Sequence, residues 1–146
     1  MEESITLLTK IKQTFDCEGQ DVRAYSPLTL AYIGDGIYEL VIRTAVVGQG
    51  NRQANALHKK TSTYVKASAQ AAMMEAILED LTEEELAVYK RGRNAKTVSM
   101  AKHATMHDYR HATGFEALMG YLYLTDQMKR MIDLIKIGME RTGGTP

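Results

Sequence analysis

The sequence predicts an all-α fold, and three observations predict it. No segment alternates apolar and polar residues with the period of two that a half-buried strand needs. Apolar residues recur instead at helical spacing along most of the 146 residues. Proline, which stops helices, occurs only at Pro27 and Pro146. The length suits one domain. A hydrophobic fraction of 45% and a charged fraction of 25% fit a globular chain with a real core. One domain over 1–146 is expected, ordered over about 20–141 with a short flexible tail.

The elements follow in order. Ile5, Leu8, Ile11 and Phe15 share a helical face, so the spacing predicts a helix from Ser4 to Phe15. Cys17 to Tyr25 is polar, contains Gly19 and reads as a loop. Ser26-Pro27 is a helix start, a capping serine followed by proline in the first turn. The apolar run from Leu28 to Val47 is the second helix, and Gly48 can end it. Asn51 to Met74 reads as one helical region that Glu75 to Leu81 continues or closes. Thr82 with Glu85 forms a capping box for a short helix through Lys90. Arg91 to Met106, with Gly92 and Asn94, reads largely as a loop. A helix then runs from about Asp108 or Thr113 to Leu124, a last one from Gln127 to Met139, and Arg141 to Pro146 frays.

Composition narrows the function classes. No apolar run reaches the ~18 residues of a membrane helix, and the start, Met1-Glu2-Glu3-Ser4, lacks a signal-peptide pattern. The single cysteine, Cys17, cannot form an internal disulfide, which points to a reducing compartment. A cytoplasmic protein with no membrane partner is expected. Net charge is zero, so any nucleic-acid surface must come from local clustering.

Two acids stand out. Asp35 lies among Leu30, Ala31, Tyr32, Ile33, Ile37, Tyr38, Val41 and Ile42. Leu30, Ile33, Ile37 and Val41 line one helix face, while Tyr32 and Ile42 make the other apolar, so a buried helix is expected. Burying a lone charge costs several kcal/mol, on the order of a few. Gly34 and Gly36 flank it, as if something must approach the backbone closely. Glu116 is the sole charge in the run from Gly114 to Leu124. Two readings stay open on spacing alone. The acids form buried ion pairs, with Arg43 and Arg110 as partners, or both hold a hard cation such as Mg²⁺, which prefers oxygen ligands and retains several waters.

These same residues carry a family resemblance. Leu30-Ala31-Tyr32-Ile33-Gly34-Asp35-Gly36-Ile37-Tyr38-Glu39-Leu40 resembles the signature helix of the ribonuclease III catalytic domain, and Phe115-Glu116-Ala117-Leu118-Met119-Gly120 its second acidic motif. Leu57-His58-Lys59-Lys60, Lys90-Arg91-Gly92-Arg93-Asn94-Ala95-Lys96 and Thr113-Gly114-Phe115-Glu116-Ala117-Leu118 are similar to the compact Mini-ribonuclease III form, which lacks a separate double-stranded-RNA-binding domain. The match covers about Leu28 to Met139, in register. It implies a helical bundle working as a homodimer, with Asp35 and Glu116 as catalytic acids that bind Mg²⁺, Mn²⁺ being able to substitute. It implies hydrolysis of duplex RNA to 5′-phosphate and 3′-hydroxyl ends, with precursor large-subunit (23S) ribosomal RNA as substrate, and no organic cofactor. Tyr38, Glu39 and Arg43 read as helix-core or dimer-contact residues. Ala31 and Thr113 stand where full-length relatives carry two more acids, so one firmly held Mg²⁺ per subunit is expected.

The segment from Lys90 to His111 carries Lys90, Arg91, Arg93, Lys96, Lys102 and Arg110 against Asp108 alone. Duplex RNA is recognised chiefly through phosphates and 2′-hydroxyls. Arg91, Arg93, Lys96 and Lys102 are therefore expected to bind RNA, with Lys59, Lys60 and Lys66 in support. Gly36 and Gly114 are expected to loosen the site.

Three other readings compete. His103, His107 and His111 have the four-residue spacing of a zinc-binding helix face. His107-Asp108 resembles the His-Asp pair of helical metal-dependent phosphohydrolases, provided that His58 and Asp126 converge on it. The third is a non-catalytic ribonuclease-III-like module that only binds duplex RNA.

Overall fold

The computed structural model describes residues 6–96 and 105–146, and the described residues contain helices and no strand. Seven α-helices are present among them: α1 Leu7–Thr14, α2 Pro27–Val47, α3 Ala54–Val65, α4 Ala67–Ile77, α5 Glu83–Arg93, α6 Met106–Leu124 and α7 Met128–Thr142. Helix α6 is the hub. Helices α2, α4 and α5 pack around it, α7 covers α4, and α3 lies against α2.

Local sequence explains the starts. The Ser26 hydroxyl accepts from Thr29 N at 3.1 Å, with Pro27 in the first turn of α2. Thr82 and Glu85 close the capping box on α5. Thr105 caps α6, accepting from Asp108 N at 3.0 Å, which moves the start of that helix back to Met106. In α7, Met131, Leu134, Ile135, Gly138 and Met139 form one buried stripe. That helix runs to Thr142, past Met139. Arg141 does not fray: it donates to the Ala76 carbonyl and pairs with Asp80.

The 51–81 region departs most from expectation. It is two helices, broken at Lys66, whose ψ of 154° is extended. The break frees the last carbonyls of α3, which need new donors. Tyr38 Oη donates to the Tyr64 carbonyl at 2.8 Å, and Gln70 Nε2 donates to the Val65 carbonyl at 2.9 Å. Helix α5 also outlasts Lys90. Its last turn holds Gly92 and Arg93, because Gly92 must sit against α6: a Cβ there would come within 2.8 Å of the Ala117 Cβ and 2.9 Å of the Gly114 Cα. Val22–Ala24 form a 3₁₀ turn inside the expected loop.

One buried ion pair ties α5 to α7. Arg130 donates through Nε and Nη2 to both oxygens of Glu85, at 2.9 and 2.8 Å, and through Nη2 to the Asp80 carbonyl at 2.7 Å. Glu85 is 4% exposed.

Candidate active site

Two glycines bring the acids together. A Cβ at Gly34 would stand 1.7 Å from the Glu116 carbonyl oxygen, and a Cβ at Gly120 would stand 2.0 Å from the Leu30 carbonyl oxygen. Helices α2 and α6 therefore cross backbone against backbone. Asp35, one residue after Gly34, stands beside the contact, close enough for its carboxyl to raise the pKa of Glu116.

The two acids are not equivalent. Helix α2 buries Leu30, Ala31, Gly34, Ile37, Tyr38, Ile42 and Val46, but Asp35 is exposed. The expectation of a fully buried α2 is corrected. Its outer face carries Leu28, Tyr32, Leu40 and Val47 open to solvent, Tyr32 at 80%. Glu116 is half-buried. Burial pushes its carboxyl up to about 8, the neighbouring Asp35 carboxyl pushes the same way, and the Gln70 amide works in the opposite direction. Neither acid has Arg43 or Arg110 as a partner. Arg43 pairs with Glu39 at 3.1 Å on the exposed face of α2.

Glu116 opens into a cavity of about 160 Å³ lined by Val65, Ala67, Gln70, Tyr109, Ala112, Thr113 and Glu116. Tyr109, Ala112, Thr113 and Glu116 are spaced three, four and seven along α6 and share one face. The break at Lys66 supplies the opposite wall. Gln70, Tyr109 and this wall were not singled out by sequence reasoning. The only signal for Gln70 was a polar residue inside an alanine- and methionine-rich helix.

The donor set suits a hard divalent cation. The lining offers one carboxylate, an amide and two hydroxyls, with no histidine or cysteine, and Asp35 brings a second carboxylate beside Glu116. Mg²⁺ is commonly held by one or two carboxylates plus water. Neighbouring acids, one with its carboxyl raised by burial and then by the other, are relieved by a positive charge between them. Among the described residues no group of three or more His, Cys, Asp or Glu is placed to hold a metal, so any cation here rests on two acids.

Other expected residues scatter. Tyr38 takes the helix-core half of its expectation: it is 0% exposed, edge-on to Phe115, with its hydroxyl spent on Tyr64. Arg91 and Arg93 lie on the last turn of α5 rather than in a loop. Arg91 lines a cavity with Arg23 and Glu84, while Arg93 stands over the Tyr89 ring, 5.5 Å from its centroid. Lys96 and Lys59 are exposed, and Lys60 lies 5.9 Å from the Tyr64 ring centroid. Lys66 sits at the break, between two residues of the cavity wall. Lys102 and His103 lie outside the described residues. Gly36 meets open space, so the close approach belongs to Gly34 alone. Gly114 does not loosen anything, because the Tyr89 ring fills the place of its missing Cβ at 2.6 Å.

Of the competing histidine readings, the zinc one includes His103, outside the described residues, with the His107 and His111 rings 4.2 Å apart, and the phosphohydrolase one loses its geometry. His107 turns to Glu75 and Asp108, at 3.5 and 3.4 Å, and His111 Nδ1 meets the Tyr89 hydroxyl. His58 lines a different cavity, between α2 and α3. Asp126 follows the end of α6 and His107 stands at its start. A 19-residue helix is about 28 Å long at roughly 1.5 Å per residue, so the two cannot share a metal.

Comparison with known proteins finds relatives over most of the chain. The Ribonuclease III domain family matches residues 28–127. A "Mini-ribonuclease 3" of Enterococcus faecalis is 49% identical over 128 residues, covering 86% of this chain and 97% of that protein. A "Mini-ribonuclease 3" of Thermoanaerobacter is 44% identical over 138 residues, covering 94% and 91%. The crystal structure of a Fusobacterium nucleatum protein superposes with a TM-score of 0.75 at 33% identity, covering 84% of this chain and 98% of that one. With an all-α bundle, two acids joined at a glycine crossing and these relatives over most of its length, the chain belongs to the ribonuclease III family and is an endoribonuclease of the double-stranded-RNA-cleaving type.

Proposed function

We propose that the chain is a Mg²⁺-dependent endoribonuclease, active as a homodimer, that trims precursor large-subunit ribosomal RNA in the cytoplasm, with Mn²⁺ able to replace Mg²⁺. The observation that carries this reading is that the backbone contact of Gly34 with Glu116 sets Asp35 and Glu116 side by side at the α2–α6 crossing, next to a cavity that Gln70, Thr113 and Tyr109 also line.

Asp35 and Glu116 would hold the cation. When bound, it lowers the pKa of a coordinated water and offsets charge on the scissile phosphate. The protein's own part is positional. Glu116 is anchored inside and Asp35 stands at the surface, where a duplex can reach it. Lys59, Lys66, Arg91, Arg93, Lys96 and Lys102 are the cations proposed to contact phosphates, and the first five are partly or fully exposed. The dimer is supported by the apolar outer face of α2. Leu28, Tyr32, Leu40 and Val47 recur four to eight residues apart along one helix and lack cover within the subunit. Glu39 and Arg43 flank that stripe and are proposed as its polar edge.

The test is incubation of long duplex RNA, and separately of a large-subunit precursor stem, with purified protein with and without Mg²⁺. Asp35→Ala and Glu116→Ala variants run alongside. Cleavage that needs the metal and both acids supports the reading. Duplex binding without cleavage across several divalent metals would replace it with the binding-module reading.

A further inference from the structure

Gln70 is 3% exposed, on the first turns of α4. A glutamine amide has two N–H donors and one carbonyl acceptor. One N–H goes to the Val65 carbonyl at 2.9 Å. The carbonyl oxygen, Oε1, is buried and has no hydrogen-bond partner among the described residues. Leaving a buried acceptor unpaired costs free energy that an apolar residue of the same shape would avoid. Packing alone therefore does not account for an amide here. The bond to Val65 uses only one of the two N–H donors, and the Gln70 side chain lines the same cavity as Glu116.

We propose that Gln70 is a positioning residue: anchored to Val65 by one N–H, it offers the other to the Glu116 carboxylate and holds it turned toward Asp35. The break at Lys66 makes this arrangement available, since the carbonyl that anchors Gln70 is free only because α3 stops there. Outer-shell partners of this kind typically change metal affinity about 10–100-fold when removed. The inference rests on the metal reading of Asp35 and Glu116.

The test measures Mn²⁺ binding by calorimetry, and thermal unfolding in EDTA, on the full chain. Gln70→Met keeps length and removes both amide functions. It is expected to fold, to unfold within a few degrees of the parent in EDTA, and to bind Mn²⁺ at least about tenfold more weakly. Tyr38→Phe serves as the control, because it removes the neighbouring bond to the Tyr64 carbonyl while leaving Gln70 in place; it is expected to bind Mn²⁺ as the parent does. If Gln70→Met does not fold, Gln70→Asn carries the comparison, since it keeps the amide but draws it back from Glu116, and weakened binding is again expected. Parent-like affinity in the folded Gln70 variant, or equal weakening in Tyr38→Phe, overturns the assignment. A parent that takes up no Mn²⁺, or Asp35→Ala binding as tightly as the parent, overturns the metal reading itself and this inference with it. Mn²⁺ binding that depends on Asp35 but not on Gln70 overturns the Gln70 role alone.

Discussion

Gly34 and Glu116 touch through their backbones: the space where Gly34 would carry a Cβ is taken by the Glu116 carbonyl oxygen, 1.7 Å away. Gly34→Ala must push α2 off α6. The expected cost is about 3 kcal/mol or more, at the upper end of overpacking effects. Gly36→Ala, two residues on, meets open space and is expected to stabilise the fold by up to about 1 kcal/mol through helix propensity. Urea unfolding of both variants checks the pair, and similar midpoints for the two would contradict the crossing.

The pH dependence of the metal-free protein follows from Glu116. Its folded value, about 8, lies above the ordinary 4.5. The folded state thus holds the proton more tightly than the unfolded chain. The stability from this group is full below about 4.5 and is lost as pH rises through about 8. Glu116→Gln removes that dependence. Unfolding temperatures in EDTA across this window should fall for the parent relative to the variant, and parallel curves would count against it.

Glu85 behaves oppositely. The Arg130 guanidinium holds its carboxyl below the usual range, so its contribution is present at neutral pH and lost on acidification. Arg130→Ala leaves Glu85 buried and unpaired, and a loss of about 3 kcal/mol in folding stability at neutral pH is expected. Chemical denaturation at pH 7 reads it directly, and a loss under about 1 kcal/mol would mean that the pair behaves like an exposed one.

The outer face of α2 gives a clean test of assembly. Tyr32 is 80% exposed, so Tyr32→Arg should leave the subunit's fold intact. It is expected to turn a dimer into a monomer in light-scattering measurements. A parent that is itself monomeric at working concentrations would remove the dimer from the reading.

Arg91→Ala and Arg93→Ala should each weaken duplex binding without affecting Mn²⁺ uptake. Each lost phosphate contact should lower the salt slope of binding by about one. Titrations at several salt concentrations show it, and an unchanged slope would return these arginines to the role of cations closing the end of α5.

Much of this was legible in the sequence. Ser26-Pro27 and Thr82 with Glu85 announce their helices because capping is local chemistry. Asp35 and Glu116 stood out as lone charges in apolar runs. The break at Lys66 did not, because no glycine or proline marks it. Its caps come from Tyr38, 26 residues before Tyr64, and from Gln70 across the break. The exposure of Asp35 was hidden for a related reason. An apolar face left open to solvent reads, residue by residue, like a face buried inside the fold. Tyr38 and Tyr32 show the confusion from both sides, one enclosed and one open on the same helix.

The glycine crossing also sets how this protein can drift. Where side chains separate two helices, a larger residue here and a smaller one there can compensate. Between Gly34 and Gly120 there is nothing left to trim. Substitutions in the methionine-rich remainder of the bundle can be absorbed by soft, flexible side chains, while the spacing of the two acids stays locked to the backbone. An engineer could therefore vary the periphery of this bundle and still find the Asp35 and Glu116 backbones at the same separation, and could change that separation only by rebuilding the crossing itself.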